Sequence, residues 1–533
     1  WAPPEVAGAG DFHLVGEGGK VVSGEIAGGK PVYIFQCSDG TKTWDKLTDF
    51  HNKSLQRAFT KDKKTWKKGV PAFQGYKVMS GDKEIAAGNF ALGSASLSGG
   101  KCGAFVAVRY FLHQYSKAAE VEPGKITMRL WPKYSKRYEG LNWLDDCAGK
   151  THEVSFVLAD GPISAEETVR LGKAFDAPMI PFAGVDWMRK TGARQYYSKR
   201  YVETGSKIGA VFKPSKHNWL TWGAPPDRSR RRYSGYGADG WYKTGDMHHA
   251  YTLRRYMIAS SFGTTPFFVD EYTYPAGRDL VRCPTGYMAP PRERGKYRPG
   301  TRPYGYNAWN DQHFSALEFA DGWRLTGNPL ALECLKQLGV FMRFYVDTRK
   351  KHRTGNARRD SWQYQILNNA YRITEDPELL ATIREWERIA WEEQINKQRG
   401  YYAAKNKPEW GKAGGYVGRQ IGPTGKKDLW LTESWPENSM SDALIDSYRI
   451  TGNENCLDMA MGIIDYLLAE GFGGWPAGYY YKIPLDPEIN ARVRAFYKKQ
   501  SKGSLRESLP GHAFAYLYTG EKRYWDIFCE GGT

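Results

Sequence analysis

The sequence predicts an α+β multidomain protein, with an N-terminal antiparallel β-sandwich followed by a C-terminal α/α toroid of helical-hairpin repeats. Three observations carry that expectation. A chain of 533 residues exceeds one ordinary core and calls for at least two domains. Its first part holds β-branched and aromatic runs punctuated by Gly, Asp and Pro. Beyond Tyr242 the apolar period turns helical, and a Thr-Gly-Asn-like turn keeps returning.

Residues 1–160 form the expected sandwich domain. Its clearest strands lie at 105–110, 125–132 (KITMRLWP) and 152–159 (HEVSFVLA), where partial alternation and turn residues give the spacing of a sandwich. Residues 54–68 are basic and polar and read as a surface excursion. Residues 161–241 read as a short helix and a wrapping linker. The helix, ISAEETVRLGKAF, opens with Ser164 three residues before Glu167, a capping-box arrangement. The linker is rich in Gly, Pro and Trp and carries the basic run RSRRR at 228–232.

Residues 242–533 form the expected toroid and catalytic domain. A helix ending in Tyr or Trp, a turn and a second helix recur around Thr244, Thr326, Thr374, Thr451 and Thr519. Gly after Thr suits the left-handed residue that ends a helix, and Asn, Asp or Pro then starts the next one. Stacked pairs of this kind, with loops inserted, close into an α/α toroid. The repeat speaks to architecture and is silent on chemistry.

Composition narrows the function. A formal charge of +18, from 76 basic against 58 acidic side chains, draws anionic partners to the surface. Nucleic acid is not the expected one: no binding motif is present, and the Arg residues sit in Gly/Pro/Tyr loops rather than along one basic helix. The 19 Trp and 35 Tyr, in a chain rich in Gly loops, offer flat apolar faces with polar edges that suit sugar rings. An acidic polysaccharide satisfies both features. No run of 18 apolar residues exists, so no membrane span is expected. Numbering from Trp1 without Met fits a mature chain after signal removal, and a secreted protein, extracellular or periplasmic, is the expectation. The seven Cys are odd in number, which leaves at least one thiol unpaired, and none is spaced for zinc. No cofactor is expected: acidic residues lack calcium-loop spacing and HExxH is absent. Calcium is compatible with the sequence without being indicated by it. No feature sets an oligomeric state.

Residues 304–330 join chemistry to architecture. Tyr304, Tyr306, Asn307, Trp309, Asn310, Asp311, Gln312 and His313 fall just where a helix should begin, at the end of a basic loop interleaved with Tyr. That loop carries Arg278, Arg282, Arg292, Arg294, Lys296, Arg298 and Arg302. Long loops of this kind within compact domains are commonly functional. The stretches VAVRYFLHQYSKAAEVEPGKITMRLWP and DQHFSALEFADGWRLTGNPLALE resemble the exo-acting rhamnogalacturonan lyase family. The resemblance extends over about residues 70–530. It implies a central β-sandwich, a C-terminal α/α toroid and cleavage of a uronate polymer. Such proteins also carry an N-terminal barrel-like domain, for which this chain lacks room, so the reading is that it begins inside the sandwich region.

β-Elimination of a uronate removes the proton on carbon 5 and expels the glycosidic oxygen on carbon 4. Cations must neutralise the carboxylate, a base must take the proton, and an acid must protonate the leaving oxygen. His313 is the first candidate, with Tyr306 beside it; Asn310 has the simpler role of a helix cap. His248, Tyr251 and Arg255 share a helix face at i, i+3 and i+7 as a possible base, acid and carboxylate clamp, while the neighbouring His249 faces elsewhere. Arg353, Arg358, Arg359, Trp362 and Tyr364 form a third cluster, in which Arg359 and Trp362 resemble an Arg-x-x-Trp feature of the family. Arg359 is suited to bidentate contact with a carboxylate. Trp309, Arg302, Trp435 and Asn438 complete the expected sugar contacts. Each cluster also has a plainer reading, as a solvated face, a charged loop or a buried His. Two rivals stand beside the lyase. One is a glycoside hydrolase on the same toroid, using Asp311, Asp360 or Glu433 as catalytic carboxylates. The other is a non-catalytic protein that binds acidic glycan or assembles with it.

Overall fold

The structure is a computed structural model and describes residues 10–26, 28–37, 73–114, 117–130, 132, 151–177, 179–180, 184–190, 241, 245–264, 316–349, 357–392, 431–466, 482–484 and 510–530. Two antiparallel sheets come first and helices follow, an α+β mix. The first sheet contains β1 (Gly10–Val15), β2 (Val21–Ile26), β6 (Ala95–Gly99), β7 (Cys102–Val108) and β10 (Val154–Ala159), in the order β10-β7-β6-β1-β2. The second contains β3 (Val32–Gln36), β4 (Tyr76–Ser80), β5 (Lys83–Gly88), β8 (Lys117–Glu122) and β9 (Lys125–Arg129), in the order β5-β4-β3-β8-β9. The strands expected near 105–110, 125–132 and 152–159 are β7, β9 and β10.

Strand periodicity decides which side chains enter the core. In β1, Phe12 and Leu14 are buried while Asp11 between them and the chain start is exposed. They join Leu97 and Val108 of the same sheet, and Val32, Ile34, Val78, Ala119 and Val121 of the other, in one cluster. At Gly93, with φ +76°, a Cβ would lie 2.0 Å from the Phe111 ring, so only glycine fits against that core side chain.

α1 (Ala165–Asp176) packs on the first sheet through Ile163, Leu171 and Phe175 against Phe105 and Ala107. The Ser164 side chain accepts the Glu167 N–H at 3.1 Å, as the capping motif predicts. The Glu167 carboxylate, however, turns to Arg170, 2.7 Å away. The short helix α2 (Val185–Lys190) follows, and then α3 (Met247–Thr264). Sheet and helices meet at Glu153, which accepts from Arg109 Nε and from Arg254 of α3, each at 2.6 Å. Tyr110 packs with Ile258 and Leu330 at the same junction.

Among the described residues four hairpins follow: α4 (Leu317–Thr326) with α5 (Pro329–Arg349), and α6 (Ala357–Thr374) with α7 (Pro377–Ile389). Next come α8 (Ser434–Thr451) with α9 (Glu454–Tyr466), and α10 (Pro510–Thr519) with α11 (Lys522–Glu530). A two-stranded ribbon pairs β11 (Leu431–Glu433) with β12 (Lys482–Pro484). The Thr motif works as its chemistry requires. Each Thr hydroxyl donates to the carbonyl four residues back, in Thr374, Thr451 and Thr519 at 2.7–3.0 Å and likewise in Thr326. The next residue is left-handed, with φ of +59° at Gly327, +53° at Glu375, +70° at Gly452 and +75° at Gly520. Asn328, Asp376 and Asn453 then cap the returning helix by accepting the N–H two residues on.

Three first helices of these hairpins run in the same direction. Asn368 of α6 bonds the Ala443 carbonyl of α8, and Arg372, one turn later, bonds Asp446, again one turn on along α8. Gly511 near the start of α10 touches Ser441, and both Tyr448 and Tyr518 lie at the other end. One apolar cluster, from Met257 through Phe319, Leu367 and Leu444 to Tyr524, holds all four hairpins and α3 together.

Candidate functional site

A polar seam lies where α6, α8 and α10 pack side by side. α6 buries Asp360, Ser361, Gln363 and Asn368, each no more than 1% exposed, and of these Asn368 faces α8. That is an unusual load for a core helix, because a buried polar group costs free energy unless it is bonded. Asn368 Nδ2 donates to the Ala443 carbonyl at 3.0 Å. Among the described residues no hydrogen-bond partner reaches Asn368 Oδ1, either end of the Gln363 carboxamide or Asp442 Oδ1.

α8 supplies two carboxyl groups on one face, Asp442 and Asp446, one helical turn apart. Part of Asp442 stays accessible while its Oδ1 is shut off from solvent. Burial pushes its pKa well above the usual carboxylate range, the Asp446 charge pushes the same way, and the Gly511 N–H opposes them. Gly511 makes that approach possible: a Cβ there would lie 2.8 Å from Ser441 Oγ. Burial also raises Asp446, against the pull of Arg372, Arg449 and Arg324. Arg372 Nη2 bonds Asp446 Oδ1 at 3.2 Å. These three arginines occupy one position of the repeat, two residues before the Thr, in WRLTGN, YRITED and YRITGN. The repeat therefore puts an arginine at one position of successive hairpins; Arg372 bonds the Asp446 carboxylate, and Arg449 and Arg324 act on it through their charge.

α10 adds His512, fully buried beside Gly511 and held neutral, with its pKa lowered to about 4 by burial. The resulting arrangement combines a carboxyl group that favours its protonated form, a second carboxyl one turn away, a neutral imidazole and a guanidinium cluster. Together they can donate a proton, accept one and hold an anion.

The expected site residues are placed as follows. His249 is buried in the first turn of α3, and Tyr251 packs half-buried against Trp241, Leu253 and Leu325. His248 and Arg255 fall on α3, with side chains outside the described residues. Trp362 and Tyr364 are buried in α6; Tyr364 meets the Trp386 ring edge-on at 5.5 Å, inside the core rather than on an open sugar platform. Arg358 and Arg359 open α6, and Trp435 and Asn438 open α8, again with side chains outside the described residues. Asn438 falls one turn before Asp442. His313, Tyr306, Trp309, Asn310, Arg302 and Arg353, together with Asp311, lie outside the described residues. Among the hydrolase carboxylates, Asp360 is 1% exposed and Glu433 lies on β11.

Sequence reasoning passed over Asp442, Asp446, Gln363, His512 and the three arginines. The repeated Arg before Leu-Thr or Ile-Thr was a readable signal, since one repeat position on successive hairpins lands on one side of the stack. Burial pushes the Cys456 thiol up, away from reactivity. Among the described residues there is no group of three or more His, Cys, Asp or Glu placed to hold a metal ion, and no helix is long and apolar enough to cross a membrane. Comparison with protein-family models and with curated proteins returns no match to this chain.

Proposed function

We propose that the protein is a secreted polysaccharide lyase that cleaves a uronate-containing, rhamnogalacturonan-like polymer by β-elimination. In this reading the paired sheets are a β-sandwich, the hairpins close into an α/α toroid, and the cleft lies on the face of the toroid where Asp442 and Asp446 stand. The observation that carries it is the Arg372–Asp446 pair, with the charges of Arg449 and Arg324 acting on the same carboxylate, in a chain of net charge +18. Elimination needs cationic stabilisation of charge building on the uronate carboxyl, together with an acid for the leaving oxygen. The resemblance of the sequence to exo-rhamnogalacturonan lyases supports the substrate class. Incubation with rhamnogalacturonan and other polyuronates is expected to give unsaturated, ultraviolet-absorbing chain ends. Saturated products, or none from any polyuronate, overturn the proposal.

The Asp442–Asp446 pair favours a second reading, a glycoside hydrolase on uronyl sugars, whose two carboxyl groups would share the work of acid and base or nucleophile. Its products are saturated, which separates the two. Glycan binding that weakens with salt and proceeds without turnover marks a non-catalytic protein instead.

A further inference from the structure

We propose that β10 is the surface through which two copies of this chain pair, edge to edge, into one continuous antiparallel sheet. The inference is independent of the lyase reading and goes beyond it.

Among the described residues each five-stranded sheet has two edge strands, and an open edge offers its N–H and C=O groups to any other strand. Three of these edges carry features that oppose such pairing. β2 has Gly24 and the exposed Glu25 within the strand. β5 begins with the exposed Lys83 and Glu84, and its ladder with β4 slips register between Val78 and Met79. β9 is closed at both ends by exposed cations, Lys125 and Arg129. β10 differs. Its sequence, VSFVLA, holds no charge, glycine or proline. Phe156 is 71% exposed and Leu158 59%, on the face from which Val154 reaches the apolar cluster shared by the two sheets. Scattered apolar side chains are ordinary at a surface, but two on an uncharged free edge form a strand-pairing surface.

The ladder fixes which backbone groups point outward. Val154 faces Val108 of β7, and the Arg109 N–H bonds the Glu153 carbonyl at 2.9 Å. Glu153, Ser155, Val157 and Ala159 therefore turn their N–H and C=O groups to β7, while Val154, Phe156 and Leu158 turn theirs to the open edge. The same three residues carry the apolar side chains. A two-fold axis at Phe156 makes the strand its own complement. Phe156 meets Phe156 of the second copy and Val154 meets Leu158, each pair exchanging both backbone bonds. His152 then stands opposite Asp160, an imidazole against an exposed carboxylate, and no like charges face each other. An axis at Val157 would instead set Asp160 against Val154. This self-complementarity selects a second copy over an unrelated strand.

The test uses the full chain. Sedimentation velocity up to ~100 µM is expected to show a reversible monomer–dimer equilibrium. F156K sets two ammonium groups opposite each other at the axis and should weaken association by ~10²-fold or more. The thermal midpoint of the dilute protein should stay unchanged, because the side chain is exposed in the monomer. F156C brings two thiols across the axis on Cα atoms ~5.5 Å apart, so mild oxidation should give a covalent dimer bridged at position 156 in peptide maps. In L158C the two thiols lie ~13 Å apart along the strands and should not bridge. A wild type that stays monomeric overturns the proposal, also where it binds an added extended peptide, since the partner is then a foreign strand. A dimer that survives F156K, or that fails to bridge through F156C, uses another surface and overturns it as well.

Discussion

Replacing Glu387 by Ala tests how far the hairpin turns carry the stability of the helical region. This glutamate of α7 is 1% exposed and accepts hydrogen bonds from the next hairpin, Cys456 among the donors. The other donors are Ser447 Oγ at 2.7 Å, Thr451 Oγ1 at 2.8 Å and Asn453 Nδ2 at 3.0 Å. In the variant Thr451 keeps its bond to the Ser447 carbonyl and Ser447 its bond to Cys456, while Asn453 Nδ2 and the Cys456 thiol lose their acceptor. At ~1–3 kcal/mol per orphaned buried group, with some relief from relaxation into the space left, E387A should cost ~3–5 kcal/mol. E387Q preserves the shape but turns an amide N–H₂ toward donors, and should cost ~1–3 kcal/mol. Urea unfolding followed by far-ultraviolet circular dichroism, with Trp386 next door as a fluorescence probe, reads both. The thermal midpoint should drop by roughly 6–20 °C for E387A, at ~2–4 °C per kcal/mol for a cooperative unit of this size. A double-mutant cycle with N453A should return a coupling of ~1 kcal/mol or more. A loss below ~0.5 kcal/mol for E387A would refute the reasoning, because buried donors would then be satisfied some other way.

Other outcomes follow from the same physics. His512 binds its proton near pH 4 when folded against 6.5 when unfolded, so the unfolded chain takes up the proton first as pH falls. Stability is therefore lost between about pH 6.5 and 4, by ~3 kcal/mol at most, and H512Q should flatten that part of a urea midpoint against pH profile. Asp442 has the opposite sign: its raised pKa makes the folded state hold the proton longer, so its ionisation destabilises as pH rises. D442N should accordingly raise the thermal midpoint at neutral pH. Glu375 occupies the left-handed turn position that glycine holds in the other hairpins; E375G should be stabilising by up to ~1 kcal/mol, and G452A destabilising by ~1–2 kcal/mol, in the same unfolding assay. E153Q weakens the junction of Arg109 and Arg254, and a loss of ~2–3 kcal/mol or proteolytic cleavage between sheets and helices at lower urea is expected.

Much of the fold can be read along the chain because it depends on short-range chemistry. The Ser164 cap, the strands β7, β9 and β10, and the turns after Thr326, Thr451 and Thr519 all rest on dihedral preferences and hydrogen bonds spanning a few residues. Even there one detail was decided elsewhere. Glu375 adopts the left-handed conformation without being glycine, because the Tyr371 carbonyl and the capping Asp376 close the same turn around it.

The polar seam is different in kind. Asn368, Arg372, Asp442, Asp446 and Gly511 come from three helices far apart in sequence, and the register between parallel helices alone brings them together. No local pattern marks Asp442 as the carboxyl whose pKa is pushed up; that follows from burial and from Asp446 beside it. Tyr364 and Trp362 show the reverse case. Their spacing beside Arg359 suited a sugar platform, but the face of α6 that meets α7 takes Tyr364 inward onto Trp386. By itself, the sequence determined where helices and strands begin, turn and end, since those choices are made within a few residues. Which polar groups share one environment, and so what chemistry they can perform, was decided by the packing of helices against one another, where long-range contacts set both face and register.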